Sequence, residues 1–131
     1  MTTTPLRILV VDDNADAART LQVLLRCECH EARIAFDGPA AIEAATLLRP
    51  DVVLLDLTLP GMSGVEVAAE LRCLPELPAC RLVAVTGHGQ ECLPSPSPFD
   101  HHFQKPVDHA ALLGYLARIE AARTPLAAAV A

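Results

Sequence analysis

Three short apolar runs in this sequence each stop on polar side chains that can react or bind. The runs span residues 8–11, 52–55 and 82–85, and they stop on Asp12-Asp13, Asp56 and Thr86. A fourth candidate strand, His101–Gln104, stops on Lys105-Pro106. Short runs of this composition are typical of buried parallel strands, whose carboxyl ends share one edge of a sheet. Three carboxylates, a hydroxyl and an ammonium are therefore predicted to meet in one cleft, where open α/β sheets bind ligands.

Strand and helix patterns alternate along the rest of the chain. Capping and breaking signals bound the helices. The remaining predicted elements are a helix capped by Asn14, a strand at 31–36, helices at 40–48 and 65–73, and a last helix that Asp108 caps and that ends at 123–125. This order predicts a doubly wound α/β fold, a five-stranded parallel sheet with helices on both faces and the first strand central. We expect one domain over residues 1–123 and a disordered tail over 124–131.

Composition narrows the classes of function. The chain has 131 residues, 52% hydrophobic and 3% aromatic, and a formal net charge of -6. An aliphatic core is expected, and with no basic stripe, nucleic acid is not expected as a partner. No apolar stretch reaches the ~20 residues of a membrane span, and the N-terminus lacks signal-peptide features, so a cytoplasmic location is predicted. The five cysteines are an odd and scattered set, so in a cytosolic chain they are predicted to be reduced thiols. Cys27 and Cys29 do not have zinc-site spacing.

The predicted cleft needs positive charge. Two unit charges ~4 Å apart repel by about 4 kcal/mol at an effective dielectric of about 20. Asp12, Asp13 and Asp56 can stay ionised together only beside a cation, for which Lys105 and Mg²⁺ are the candidates. A carboxylate held in this way is a plausible nucleophile toward phosphorus, and Thr86 could donate a hydrogen bond to a phosphoryl oxygen.

These motifs resemble the receiver domain of bacterial two-component response regulators. The resemblance covers roughly residues 6 to 120. It rests on four stretches at residues 9–14, 54–64, 85–87 and 105–107, which read LVVDDN, LLDLTLPGMSG, VTG and KPV. It implies the flavodoxin-like strand order 2-1-3-4-5, and the surroundings of Lys105 are most similar to receivers associated with hybrid histidine kinases.

The resemblance also implies a role for each acid. Asp56 would accept a phosphoryl group from the phosphohistidine of a sensor histidine kinase or a histidine phosphotransfer protein. Asp13 would bind Mg²⁺ directly and Asp12 mainly through water. The backbone carbonyl of Thr58 would be a further ligand, beside Asp56 itself. Such a protein is a phosphoacceptor and is not itself expected to be an enzyme.

Two further roles follow from the resemblance. Lys105 would pair with Asp56 and later with its phosphate. The Lys105-Pro106 peptide bond would be cis. Thr86 would be the hydroxyl that moves toward the acyl phosphate. His88 lies two residues past Thr86, and together with Thr58 it is hypothesised to influence how fast water reaches the acyl phosphate.

The chain departs from the family pattern after Thr86. The interval to Lys105 is a few residues short, and Pro94, Pro96 and Pro98 cannot continue a helix, because each removes a donor and clashes one turn back. The fourth helix is therefore predicted to be shortened to a single turn or replaced by a loop. Leu93, Phe99 or a second copy in a homodimer could cover the sheet surface left behind.

A second departure is His102, which stands where the family usually has an aromatic switch residue. Phe103 follows it and is predicted to pack inward. Two other functions stay open at this point. One is a degenerate receiver that acts as a phosphorylation-independent protein-binding module. The other is a small phosphohydrolase, which would need an acid two residues after Asp56 to protonate the leaving group, where this chain has Thr58.

Overall fold

The computed structural model describes residues 5–75, 77, 79–87 and 97–130, with side chains up to residue 122. Five strands form its sheet: β1 (Arg7–Val11), β2 (Glu31–Ala35), β3 (Val52–Asp56), β4 (Arg81–Thr86) and β5 (His101–Gln104). All neighbours pair in parallel, in the order β2-β1-β3-β4-β5. The predicted strand order is thereby confirmed, and the carboxyl ends of all five strands lie at one edge.

Four helices appear in the described part of the chain: α1 (Ala15–Cys27), α2 (Gly38–Leu48), α3 (Gly64–Arg72) and α4 (His109–Val130). Their starts follow local chemistry. Asn14 Oδ1 accepts a hydrogen bond from the Ala17 N–H at 3.1 Å, and Asp108 Oδ1 accepts one from the Ala110 N–H at 3.0 Å. Side chains of this kind satisfy amide groups that the first turn leaves unpaired. Both predicted caps are therefore confirmed.

The prediction that the last helix ends at 123–125 is wrong, because α4 continues to Val130. A proline inside a helix costs about 3 kcal/mol, and this cost is the basis for predicting an end at Pro125. The alanines at 127–129 have the highest intrinsic helix propensity and favour continuation beyond it. The division into a domain of residues 1–123 and a tail of residues 124–131 stays a prediction.

Between β4 and β5 the structure describes Gly87 and residues 97–100, and these contain no helix. The predicted loop or single turn, His88 and Leu93 lie outside the described residues. Phe99 is half-buried and packs against the core on the α2 and α3 side of the sheet. This contact agrees with the expectation that Phe99 covers sheet surface.

The core has two aliphatic layers, one on each face of the sheet. The layer under α1 and α4 includes Ile8, Val10, Leu54, Val83 and Leu116. The layer under α2 and α3 includes Leu9, Val11, Leu55, Val67 and Leu82. Alternate strand residues serve opposite layers, as the period of two in a strand requires. Because the central strands are buried on both faces, the carboxyl edge of the sheet is held in a fixed position. Among the described residues, no helix has the length and apolarity needed to cross a bilayer.

Candidate functional site: an acidic cleft at the carboxyl edge of the sheet

Two of the predicted acids are buried at the ends of central strands. Asp12 directly follows β1, Asp56 is the last residue of β3, and each is 5% exposed. Asp12 Oδ1 accepts a hydrogen bond from the Asn14 N–H at 2.9 Å, and Asp56 Oδ1 accepts one from the Thr58 N–H at 2.9 Å. Each carboxylate thus binds the chain two residues further on, which leaves its other oxygen to face the cleft.

Lys105 links the two buried acids. Its Nζ donates to Asp56 Oδ2 at 2.9 Å and to Asp12 Oδ2 at 3.2 Å. The lysine side chain is 33% exposed, so its ammonium reaches the acids from the rim of the cleft. The Lys105-Pro106 peptide bond is cis, as the resemblance implied.

The three acids form a group that suits a divalent cation. Carboxylate oxygens of Asp12, Asp13 and Asp56 lie within 4.8 Å of one another, with Asp13 exposed and the other two buried. Mg²⁺ prefers oxygen ligands and keeps several waters while binding one or two carboxylates. Two acids at the wall of the cleft and one at its open side fit that preference. Thr58 is exposed, on the loop that directly follows Asp56.

The charge on Asp56 is disfavoured by its surroundings. Burial raises its pKa above the ordinary value of 3.8, against the opposing effects of the Thr58 N–H and of Lys105, and the nearby charge of Asp12 raises it further. Lys105 therefore only partly offsets the effect of burial on the Asp56 carboxylate. A second cation in the cleft would favour the ionised form that a nucleophile needs.

Lys105 keeps its proton. Burial would lower its pKa, but the hydrogen bond to Asp56 and the charges of Asp56 and Asp12 outweigh burial, so the net shift is upward. The side chain is thus an ammonium throughout the neutral pH range. It supplies a fixed positive charge beside both acids.

Thr86 is buried at the end of β4, at the same edge of the sheet. It directly follows Val85, the register partner of Asp56, and its carbonyl accepts a hydrogen bond from the Lys105 N–H at 2.7 Å. The structure therefore brings together the strand ends that carry Asp12, Asp13, Asp56, Thr86 and Lys105, as predicted.

The histidines of β5 take part in ring contacts. His101 stacks on Tyr115 of α4, with ring centroids 4.6 Å apart and planes 14° apart. His102 is half-buried on the opposite face of the strand. Phe103 is partly buried and packs against the core layer under α1 and α4, which confirms its predicted inward packing.

A cavity of about 580 Å³ adjoins the acids on the side of α1. Its floor is apolar strand surface, and its walls come from α1 and from the chain after Lys105. This cavity was not predicted from the sequence. Ala17 and Thr20, two small residues three positions apart on α1, could have indicated space beside the strands. The lining residues include Val10, Leu54, Val85, Ala17, Thr20, Asp12, Asp56, Lys105 and Val107.

Comparison with known families gives one consistent match. A family model described as the response regulator receiver domain matches residues 8–116. The DNA-binding response regulator MtrA of Mycobacterium tuberculosis is 43% identical over 100 residues, 76% of this chain and 44% of that protein. The response regulator PleD of Caulobacter vibrioides is 36% identical over 109 residues, 81% of this chain and 24% of that protein. The chain thus spans less than half the length of these relatives.

Solved structures agree with this match. A CheY-like response regulator receiver domain from Methylobacillus flagellatus has a TM-score of 0.82 at 32% identity, covering 89% of this chain and all of that one. A putative response regulator from Chloroflexus aurantiacus has a TM-score of 0.79 at 25% identity, covering 90% and 99%. MtrA is named as DNA-binding, so the comparisons do not support the expectation that nucleic acid is excluded as a partner.

Proposed function

This chain belongs to the response regulator receiver domain family, and from that premise we propose that it is the phosphoacceptor of a His-Asp phosphorelay, phosphorylated on Asp56 in a Mg²⁺-dependent step. The observation that carries the proposal is the arrangement around Lys105. Its ammonium binds two buried carboxylates, and a third carboxylate lies within 4.8 Å of both. Such a group suits transfer of an anionic phosphoryl group, because cations must neutralise charge on both reactants.

In the proposed reaction an ionised oxygen of Asp56 attacks the phosphorus of a phosphohistidine. The P–O bond to Asp56 forms as the P–N bond breaks, and the imidazole leaves and takes up a proton. Asp13, Asp56 and the Thr58 carbonyl would hold Mg²⁺ directly and Asp12 would hold it mainly through water, and the ion would neutralise charge on the phosphoryl oxygens. Lys105 keeps its ammonium beside the new acyl phosphate, and Thr86 donates a hydrogen bond to a phosphoryl oxygen.

Response regulators interact with histidine kinases or phosphotransfer proteins, and we propose a partner of this kind as the phosphodonor. In this role the chain carries a covalent signal and does not turn over a substrate. A cytoplasmic location, where such donors present their phosphohistidine, is part of the proposal.

The test is phosphorylation by a small donor. Wild-type protein incubated with phosphoramidate and Mg²⁺ is expected to gain the mass of one phosphoryl group, and chelation of Mg²⁺ with EDTA should abolish the gain. Asp56→Asn should show no gain. The matched control is Glu70→Gln, which removes an exposed carboxyl group from α3 and should be phosphorylated like the wild type.

Two outcomes contradict the proposal: no mass gain in the wild type, or a gain that persists in Asp56→Asn. The first would favour a binding module that works without phosphorylation. The second would place the acceptor on another residue.

A further inference from the structure

The loop between β3 and α3, residues 57–63, is shaped by its own hydrogen bonds. The Met62 N–H donates to the Pro60 carbonyl at 2.8 Å across Gly61, whose φ is +77°, and the Gly64 N–H donates to the Leu57 carbonyl at 3.0 Å. The first bond has the three-residue pattern of a γ-turn, which glycine adopts without a Cβ clash. These bonds set the shape of the loop, and its first residue is tied to β4, because the Leu57 N–H donates to the Val85 carbonyl at 3.2 Å.

Leu59 packs against the core layer under α2 and α3, and near the end of the loop Met62 contacts Gly38, the first residue of α2. A Cβ added at Gly38 would lie 2.7 Å from Met62 Sδ and 3.0 Å from Met62 Cβ. It would also lie 2.9 Å from Val67 Cγ2 on α3. Gly38 is buried and Met62 packs against the core layer under α2 and α3. The methionine therefore lies directly on the backbone of α2, in space that any larger residue at 38 would take.

We propose that Met62, seated on Gly38, is a positioning residue for the phosphoacceptor site. It holds the loop so that Thr58 stays beside Asp56 and its carbonyl stays available to the metal. The proposal builds on the function proposed above. The link is short: Met62 is four residues from Thr58 on one loop, and the Thr58 N–H is bonded to Asp56 Oδ1 at 2.9 Å.

A displaced loop would weaken metal binding by removing one oxygen ligand and one hydrogen bond that orients Asp56. Residues that orient metal ligands typically change affinity by about 10–100-fold when mutated. The acids themselves lie at the ends of buried strands, so the fold is expected to persist when the loop moves. Metal affinity and stability are therefore expected to change independently.

The experiment is a Mg²⁺ titration followed by ¹H–¹⁵N NMR, which reports the fold and the metal Kd together. Gly38→Ala is expected to raise the Kd at least about tenfold while amide signals of the core strands stay in place. Gly114→Ala adds a methyl group in open space on α4 and should leave the Kd unchanged. Ile119→Val, in the core layer on the other side of the sheet, lowers stability without touching the loop and should also leave it unchanged.

Met62→Ala is the second variant to be titrated with Mg²⁺. It should weaken Mg²⁺ binding by itself, and adding Gly38→Ala to it should cost less than Gly38→Ala costs in the wild type, because the pair acts through one contact. An unchanged Kd in Gly38→Ala, additive effects of the two changes, or a raised Kd in Ile119→Val would overturn the inference. Failure of the wild type to bind Mg²⁺ would instead overturn the proposed function, so the two failures are distinguishable.

Discussion

Asp56 carries a conflict between stability and function. Its burial is unfavourable for a charge, while its proposed reaction requires one. Lys105 reduces the conflict without removing it, because that ammonium is shared with Asp12. The three acids and the lysine were predictable from the sequence, since each lies at or next to the end of a predicted strand. Their sharing of one ammonium was not, because it depends on side-chain distances across strands β1, β3 and β5.

This conflict predicts how stability varies with pH. The pKa of Asp56 is raised in the fold, so the folded chain binds the proton more tightly than the unfolded chain, and stability is lost as the pH rises through the folded pKa. Asp56→Asn removes the buried charge and leaves Lys105 paired with Asp12. Its free energy of unfolding should exceed that of the wild type at pH 7, and the difference should narrow as the pH falls toward 3.8, the ordinary aspartate value.

Urea unfolding of both proteins at neutral and acidic pH measures this difference. If Asp56→Asn is less stable than the wild type at pH 7, the ion pair with Lys105 outweighs the burial of the carboxylate, and the charge on Asp56 does not destabilise the fold.

At the scale of elements, Arg72 ties α3 to the chain on both sides of β4. Its guanidinium donates to the Pro98 carbonyl at 2.9 Å, to the Cys80 carbonyl at 2.8 Å and to Asp100 Oδ2 at 2.7 Å. Asp100 Oδ2 also accepts from the Leu82 N–H at 2.9 Å. The clamp fastens residues 98–100, just before β5, to α3. The guanidinium spreads its donors over three nitrogens in a rigid plane, a geometry that the single nitrogen of a lysine does not reproduce.

Arg72→Lys is therefore expected to destabilise the fold even though it keeps the charge. The loss should be about 1–2 kcal/mol, because two or more hydrogen bonds are broken at a half-exposed site. The control is Arg19→Lys on the exposed face of α1, which should change stability by less than about 0.5 kcal/mol. Equal stability of the two variants in urea would show that the clamp contributes nothing beyond its charge.

The extents of most elements could be predicted because their signals are local. β5 has the predicted bounds His101–Gln104. β2 differs from its prediction by one residue at its end, and α3 differs by one residue at each end. The end of α4 could not be predicted in this way, because Pro125 and the alanines after it favour opposite outcomes. Local signals predict where an element begins and ends when they agree, and the prediction fails where two of them favour different ends.

For the whole molecule, metal binding should be coupled to folding. A cation that binds only the folded chain adds free energy that grows with the logarithm of its concentration, about 2.7 kcal/mol at about 100 times its Kd. Mg²⁺ should therefore raise the unfolding midpoint of the wild type. The rise should be absent in Asp12→Asn/Asp13→Asn, which keeps Asp56 and Lys105 but loses two of the proposed ligands.

Sodium chloride at matched ionic strength is the control, because it screens the acids without occupying a site. An equal rise with either salt, or an equal rise in the double variant, would mean that screening and not site binding produces the effect.

The sequence alone determined the class of fold and the chemical types at the carboxyl edge of the sheet, because both follow from short-range patterns: buried runs, caps, and the residue at which each run stops. Tertiary structure decided what depends on packing between distant segments. It placed Lys105 between Asp12 and Asp56, seated Met62 on Gly38, and fastened Asp100 to Arg72. Contacts of this kind need distances between side chains far apart in the chain, and no local pattern records those distances.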